Sequence, residues 1–262
     1  MSTTLVRGRG TKILLLNPNS STSMTDGIKT VVNDIELPDS TEVYTYTAPS
    51  TAPASINDAD DLRKSMSAVL ANFEDFNEYD AIIVACYSHH PLVLSLQELC
   101  GPDCVVTGIF EASLLTALSL LRPSRPRGKW GIVTTGEFWE RHLADGVREV
   151  MGVSDDGANT TFAGVQSTGL NASDFHDGVD PAIVRLKLMD ATARLLDVGN
   201  VSVIVMGCAG MAGLEGIIRE AAKDLYGELF AYSTLHVIDG VRAGVMQVDQ
   251  IIRNQRLRPG QS

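Results

Sequence analysis

Basic residues are in short supply: 21 Lys and Arg face 32 Asp and Glu, for a formal net charge of −11. A nucleic-acid surface needs basic patches that displace counterions, and an anionic membrane attracts the same charge. Neither partner is expected. Long hydrophobic runs are also missing. The longest near-apolar stretch, Val201 to Leu214, is too short to cross a bilayer and is interrupted by glycines. Only four cysteines occur in 262 residues, and nothing at the start reads as a secretory signal, so a disulfide framework is not expected. No G-x-x-x-x-G-K-[ST] motif occurs, nor does a G-x-G-x-x-G follow a strand-like run, which leaves a nucleotide cofactor unsupported.

The N-terminal stretch carries Arg7, Arg9 and Lys12 with no acid before Asp26. A strand-like run already begins at Ile13, so a short frayed leader is expected rather than a transit peptide. The compartment expected is the cytoplasm. Hydrophobic residues at 44% and charged residues at 20% give ordinary globular composition.

What is present is an alternation. Short apolar, β-branched runs predict strands at Lys12–Leu16, Glu42–Thr47, Ala81–Cys86, Cys104–Ile109, Lys129–Thr134, Thr160–Gln166, Val201–Gly207 and Thr234–Ile238. Helical periodicity predicts Asn57–Phe73, Glu111–Leu121, Glu137–Val150, Pro181–Leu196, Leu214–Asp224 and Gly240–Ile252. Runs that are apolar throughout, such as Ala81 to Cys86, suit parallel strands covered on both faces. The fold class predicted is α/β.

The pattern also echoes itself. Lys12-Ile-Leu-Leu-Leu-Asn17 resembles Lys129-Trp-Gly-Ile-Val-Thr134, and Ala81-Ile-Ile-Val-Ala-Cys86 resembles Val203-Ile-Val-Met-Gly-Cys208. The two offsets are nearly equal, which predicts two pseudo-symmetric doubly wound halves. The proline- and arginine-rich segment Arg122–Gly128 marks the break. Both echoed elements end on polar residues, where parallel sheets bind ligands, so the site is expected in the cleft between the halves.

Cys86 and Cys208 each end an apolar run just before an expected helix. A thiol at a helix start sits near unpaired N–H groups, which favours the thiolate and predicts a lowered pKa. One such cysteine reads most simply as a buried, inert side chain; two at equivalent places in a repeat read as a functional pair. Thiols on opposite sides of a cleft suit proton removal from one face of a carbon and return to the other. Helix-start amides would steady the enolate. Asn17-Pro-Asn-Ser-Ser21 and Thr134-Thr135-Gly136 occupy matching strand ends, where a helix cap and a ligand contact are compatible. Cys100-Gly-Pro-Asp-Cys104 lacks a second pair, so no metal site is expected. His89 and His90 read as solvated loop residues, and His142 as part of a surface helix.

On these pieces the chain resembles the aspartate/glutamate/hydantoin racemase superfamily, and its hydantoin racemase branch in particular. They are Asn17-Pro-Asn-Ser-Ser21, Ala85-Cys-Tyr-Ser88, Gly108-Ile-Phe-Glu-Ala112, Gly131-Ile-Val-Thr-Thr135, Gly207-Cys-Ala-Gly-Met211 and Val237-Ile-Asp-Gly-Val241, in the family's order. The resemblance implies that residues 1–115 with 239–262 form the first half and residues 116–238 the second, inserted in it, with the C-terminal helix returning to the first. It implies cofactor-independent racemisation of 5-substituted hydantoins, allantoin being one candidate substrate. It also implies Cys86 and Cys208 as the acid–base pair. Asn17, Tyr87, Ser88, Thr134, Thr135, Ala209 and Gly210 would surround the substrate, with Glu111 behind them. Where bacterial relatives carry Asp-Pro after Cys-Tyr-Ser, this chain has His89-His90-Pro91. Malonate decarboxylases of the superfamily need one cysteine; maleate isomerases use two and stay open as an alternative, as does a non-catalytic metabolite binder. The partner expected is a small molecule, and no interface pattern decides whether copies of the chain associate.

Overall fold

The computed structural model describes residues 10–74, 76–122, 128–153, 161–175 and 178–257. The segment 123–127, Thr160 and both chain ends, on which sequence expectations fall, lie outside the described residues.

Among the described residues, eight strands and eight α-helices alternate. The first half of the chain gives β1 (Thr11–Asn17), α1 (Thr22–Asn33), β2 (Thr41–Thr47), α2 (Ala59–Leu70), β3 (Ala81–Val84), α3 (Pro91–Leu99), β4 (Val105–Gly108) and α4 (Ile109–Leu120). The second gives β5 (Lys129–Thr134), α5 (Phe138–Val150), β6 (Phe162–Ser167), α6 (Pro181–Asp197), β7 (Val201–Gly207), α7 (Glu215–Tyr226), β8 (His236–Asp239) and α8 (Gly240–Arg256). The strands make two parallel four-stranded sheets, ordered β2-β1-β3-β4 and β6-β5-β7-β8. The orders are the same when β5 to β8 are matched to β1 to β4. The echoed runs are therefore the central strands: β1 pairs β3 from Ile13↔Ala81 to Leu16↔Val84, and β5 pairs β7 as far as Thr134↔Gly207.

The centre of each sheet is dry. Ile13 to Leu16, Ala81 to Val84 and Val203 to Val205 are at most 1% exposed. Strands covered on both faces do not alternate in polarity, which is why these runs read as continuous apolar stretches. One apolar cluster spans both sheets, joining Ile13, Leu15 and Ile83 to Trp130, Ile132 and Val205 through Phe110 and Leu114 of α4 and Val245 and Val248 of α8. Each such side chain taken from water contributes roughly 1.5–3 kcal/mol. Helix α8, last in sequence, packs on α4 and α1 and touches β1, β3, β4, β7 and β8.

Strand ends differ from expectation by a residue or two, and two differences shape the site. The run Ala81–Cys86 stops as a strand at Val84; Ala85 still donates its N–H to the Leu16 carbonyl, and then the chain turns. Ile109, expected to close a strand, instead opens α4. Two helices were anticipated only at their starts, by the cap at Ser21 and by the helix expected after Cys86, and not from periodicity. Helix α1 hides a stripe of Met24, Thr25, Ile28 and Val31 within a polar run, and α3 is only 9 residues long.

Candidate active site

In both sheets the central strands release their chains side by side, where the strand order reverses. That is the place at which parallel α/β sheets open a crevice for ligands. Asn17 ends β1 beside Ala85 and Cys86; Thr134 ends β5 beside Gly207 and Cys208. The bareness of Gly207 is required for this geometry. A Cβ there would lie 2.6 Å from Ile132 Cγ2 and 2.8 Å from the Val133 carbonyl oxygen, closer than packed atoms sit.

Cys86 and Cys208 both keep partial exposure and are free thiols. They are near enough that charge on Cys208 disfavours charge on Cys86. Their surroundings differ. Cys208 caps the 3-10 turn Ala209–Met211, and its Sγ accepts the Gly210 N–H at 3.2 Å. The Met211 N–H also stabilises its thiolate. Cys86 receives the Ser88 hydroxyl, donating at 3.5 Å, and negative charge on Cys208, and to a smaller extent on Glu111, opposes its ionisation.

The expectation of depressed thiol pKa values is not met. Burial pushes Cys86 up to about 12 and Cys208 up to about 11, outweighing the hydrogen bonds that pull the other way. The reason is local. Helix α3 begins at Pro91, so Cys86 is not at its N-terminus, and the turn after Cys208 is too short to carry a sizeable dipole.

The other residues named from sequence divide into three groups. Ser88, Ala209 and Gly210 adjoin the thiols in chain and contact. Thr134 and Thr135 are buried at the matching strand end: Thr134 donates its hydroxyl to the Gly207 carbonyl at 2.8 Å, and the Thr135 carbonyl accepts from Gly169 N–H at 2.9 Å. Asn17 and Tyr87 spend their side chains elsewhere. The Asn17 amide nitrogen lies within 3.1 Å of Asn19 Oδ1, the Ser21 carbonyl and Thr25 Oγ1, so it holds its own loop together. Tyr87 turns into the core, edge-on to Phe110, with its hydroxyl 2.9 Å from Ser113 Oγ.

The histidines are not solvated loop residues. His90 is 2% exposed and caps α3: Nδ1 accepts the Leu92 N–H at 3.1 Å, and Nε2 lies 3.1 Å from Ser65 Oγ. His89 is half-buried, with Nδ1 2.9 Å from Glu111 Oε1 and Nε2 3.5 Å from Glu149. His142, expected on a solvated face, has a buried Nε2 and a ring stacked on Phe138; burial lowers its pKa. Sequence reading missed the His89–Glu111 clasp because its partners lie 22 residues apart. The adjacency of Glu111 to Gly108 was the available signal. A Cβ at 108 would sit 2.2 Å from Glu111 Oε2, so the glycine makes room for the carboxylate.

Among the described residues no group of His, Cys, Asp and Glu is arranged to hold a metal ion, and no helix is long and apolar enough to cross a membrane.

Comparison with known proteins agrees with this architecture. A protein of Schizosaccharomyces pombe with no characterised function is 35% identical over 243 residues, 92% of each chain. The hydantoin racemase of a Pseudomonas species is 28% identical over 92% of this chain and 86% of its own. Among solved structures, allantoin racemase from Klebsiella pneumoniae superposes with a TM-score of 0.74 at 24% identity, covering 94% of this chain and 89% of its own, a likeness of fold. The family model described as Asp/Glu/hydantoin racemase matches residues 13–248, so all sixteen elements fall within or across the match. The chain belongs to the Asp/Glu/hydantoin racemase family and is an isomerase of that family.

Proposed function

We propose that the protein racemises 5-substituted hydantoins or closely related cyclic ureides, allantoin among them, without a cofactor, using Cys86 and Cys208 as a two-base pair. The observation that carries this reading is the placement of two partly exposed thiols at matching ends of the central strands in two sheets of one topology. The relatives named hydantoin racemase and the fold shared with allantoin racemases support the substrate class.

In the proposed reaction one cysteine thiolate removes the proton from C5 of the ring. The electron pair passes to the adjacent carbonyl as an enolate. The opposite thiol then delivers its proton to the other face of C5 and is left as the thiolate, so charge and protons balance. The enantiomer reacts with the roles exchanged. Backbone amides of the loop at Ala209 and Gly210, with Ser88, Thr134 and Thr135, would bind the ring and steady the developing oxyanion. Asn17 would act through the loop it organises. A raised thiol pKa suits this chemistry in one respect: the donor stays protonated, and the thiolate, once formed, is a strong base for a weak carbon acid.

The test is incubation of each enantiomer of several hydantoins and of allantoin in heavy water. Loss of optical rotation with deuterium appearing at the stereocentre supports the proposal. Ligand-induced melting shifts with no exchange would identify a binding protein instead, and conversion of maleate would point to the isomerase reading.

A further inference from the structure

The loop that leaves β3 carries Cys86 and is pinned by three side chains. Tyr87 reaches Ser113 on α4 and His90 reaches Ser65 on α2, both helices that follow strands of the first sheet. His89 reaches farther. Its Nδ1 lies 2.9 Å from Glu111 Oε1 at the start of α4, and its Nε2 lies 3.5 Å from Glu149 Oε1 near the end of α5, which follows β5 of the second sheet. Two glycines permit this approach. Gly146 is buried inside α5, where glycine is a poor helix residue, and a Cβ there would lie 3.0 Å from His89 Cβ and 3.2 Å from the Phe110 ring. A Cβ on Gly108 would collide with Glu111 Oε2. That oxygen is buried without a hydrogen-bond partner, so the Glu111 carboxylate is satisfied through Oε1 and the ring.

We propose that His89 is a positioning residue: as the imidazolium between Glu111 of α4 and Glu149 of α5 it clamps the loop of Cys86 to the second sheet's helix α5, and so fixes where Cys86 stands opposite Cys208. The inference rests on the two-base reading above and deepens it by naming what holds one base in place. An ionised carboxylate only accepts hydrogen bonds, so a ring with both nitrogens facing carboxylates donates from both, which only the imidazolium can do. The surrounding charges agree. Glu111 first and Glu149 after it hold His89 toward its protonated form against the cost of burial, while His142, the other titratable group of α5 at this contact, is pushed toward neutral by burial and by His89. Bonded structure links the clamp to the thiol. His89 follows Ser88, whose N–H donates to the Cys86 carbonyl at 3.0 Å and whose hydroxyl donates to Cys86 Sγ at 3.5 Å. Movement of the ring therefore reaches the sulfur through one residue. Tyr87 and His90 fix the loop to helices of the first sheet; the thiols follow strands of different sheets, so their mutual placement needs the hold on α5 as well. Misplacing a reacting group by about 1 Å can cost on the order of 10²-fold in rate.

The experiment begins without substrate. Hydrogen-exchange mass spectrometry on His89→Ala should show the peptide over residues 86–90 exchanging severalfold faster, with peptides of β1 and β7 at wild-type rates. Glu149→Gln removes only the exposed arm of the clamp and should give a smaller rise in the same peptide. An unmoved 86–90 peptide in His89→Ala would overturn the proposal, as would loosening spread evenly over both sheets, the mark of a general loss of stability. Proton NMR of the full chain should place the titration midpoint of the His89 ring above the ordinary 6.5, with a lower midpoint in Glu149→Gln. A midpoint below 6.5 would leave no imidazolium to hold and would also overturn it. If His89→Ala fails to fold, the Glu149→Gln peptide and the NMR midpoint decide. Kinetics then separates positioning from local order. In Cys208→Ser, where Cys86 remains, adding His89→Ala should cut deuterium exchange into a hydantoin by about tenfold or more; in Cys86→Ser, where Cys208 remains, it should cost less than about twofold. Equal losses in the two backgrounds would overturn the positioning role. A loosened 86–90 loop in a protein that exchanges no hydantoin would leave the clamp standing and remove the substrate assignment.

Discussion

Ser65 on α2 and His90 at the start of α3 meet 3.1 Å apart, oxygen to Nε2, and both are almost fully buried. The contact fastens α2 to the helix that follows Cys86, and the cap at Nδ1 works only while the imidazole is neutral, because that nitrogen accepts the Leu92 N–H. Nε2 therefore carries the proton and donates to Ser65.

Acid should undo this. Burial drives the His90 pKa down to about 3 from an ordinary 6.5, with His142 adding to the effect. Below pH 6.5 the unfolded chain binds a proton that the folded chain refuses, so stability falls as pH drops from 6.5 towards 3, by up to about 1.4 kcal/mol per pH unit. Above 6.5 the contribution is fully present. Urea unfolding at several values between pH 5 and 7 should show that slope. His90→Asn, which keeps a helix-capping side chain, should flatten it. An unchanged slope in the variant would assign the acid sensitivity to another group.

The pH dependence of the rate follows from the thiols. With Cys86 at about 12 and Cys208 at about 11, neither is ionised to more than a small fraction at neutral pH. One thiolate must exist in the free enzyme for the first proton transfer. The value of kcat/KM for racemisation should therefore rise close to tenfold per unit through the neutral and mildly alkaline range. A plateau beginning near pH 7 would mean that the working enzyme hydrates or donates to its thiols far more than this structure does.

Removing either thiol should do more than slow the enzyme. Cys86→Ser and Cys208→Ser are each expected to lower racemisation by about 10²–10⁴-fold, the usual scale for one acid–base group. The losses should be one-handed in exchange experiments. With Cys208 alone remaining, solvent deuterium should still enter one enantiomer slowly, and with Cys86 alone the other. Nuclear magnetic resonance of each pure enantiomer in heavy water reads this directly. Wild-type turnover in either variant would end the two-thiol assignment.

How far the sequence carries depends on whether a feature is local. The central strands were legible because burial on both faces leaves continuous apolar runs, and the equal sheet orders were foreshadowed by Lys12–Asn17 echoing Lys129–Thr134. Cys86 and Cys208 were legible as strand-end residues of that echo. Helix α1 was legible at its cap but not along its length, since its buried stripe includes a threonine, Thr25, whose hydroxyl meets Thr47 from β2 at 2.6 Å. The behaviour of the thiols was not legible, because burial is set by packing from both halves rather than by neighbours in the chain. His89 and His90 failed for the same reason: their partners, Glu111 and Ser65, are 22 and 25 residues away.

Asn17 gives the sharpest test of what a strand-end polar residue does here. Its position invites a role in gripping the ligand, yet its amide nitrogen is surrounded by three acceptors of its own loop. Its carbonyl oxygen accepts the Asn19 N–H at 3.2 Å. Some of those acceptors have second partners: Asn19 Oδ1 also receives the Ser21 N–H, and Thr25 Oγ1 also meets Thr47. Asn17→Ala should therefore cost less than a set of wholly orphaned groups, about 1–2 kcal/mol. In a chain of this size that is a fall of roughly 2–6 °C in Tm. Asn17→Asp should be worse, because it turns the central donor into an acceptor facing three others and buries a charge. The loop leaves the strand that pairs with the one leading to Cys86, so in the proposed reaction kcat should fall with stability while KM moves less. Thermal melts and hydantoin kinetics on the same two variants settle which duty the residue performs, and an Asn17→Ala protein of unchanged Tm with a much higher KM would assign the amide to the ligand.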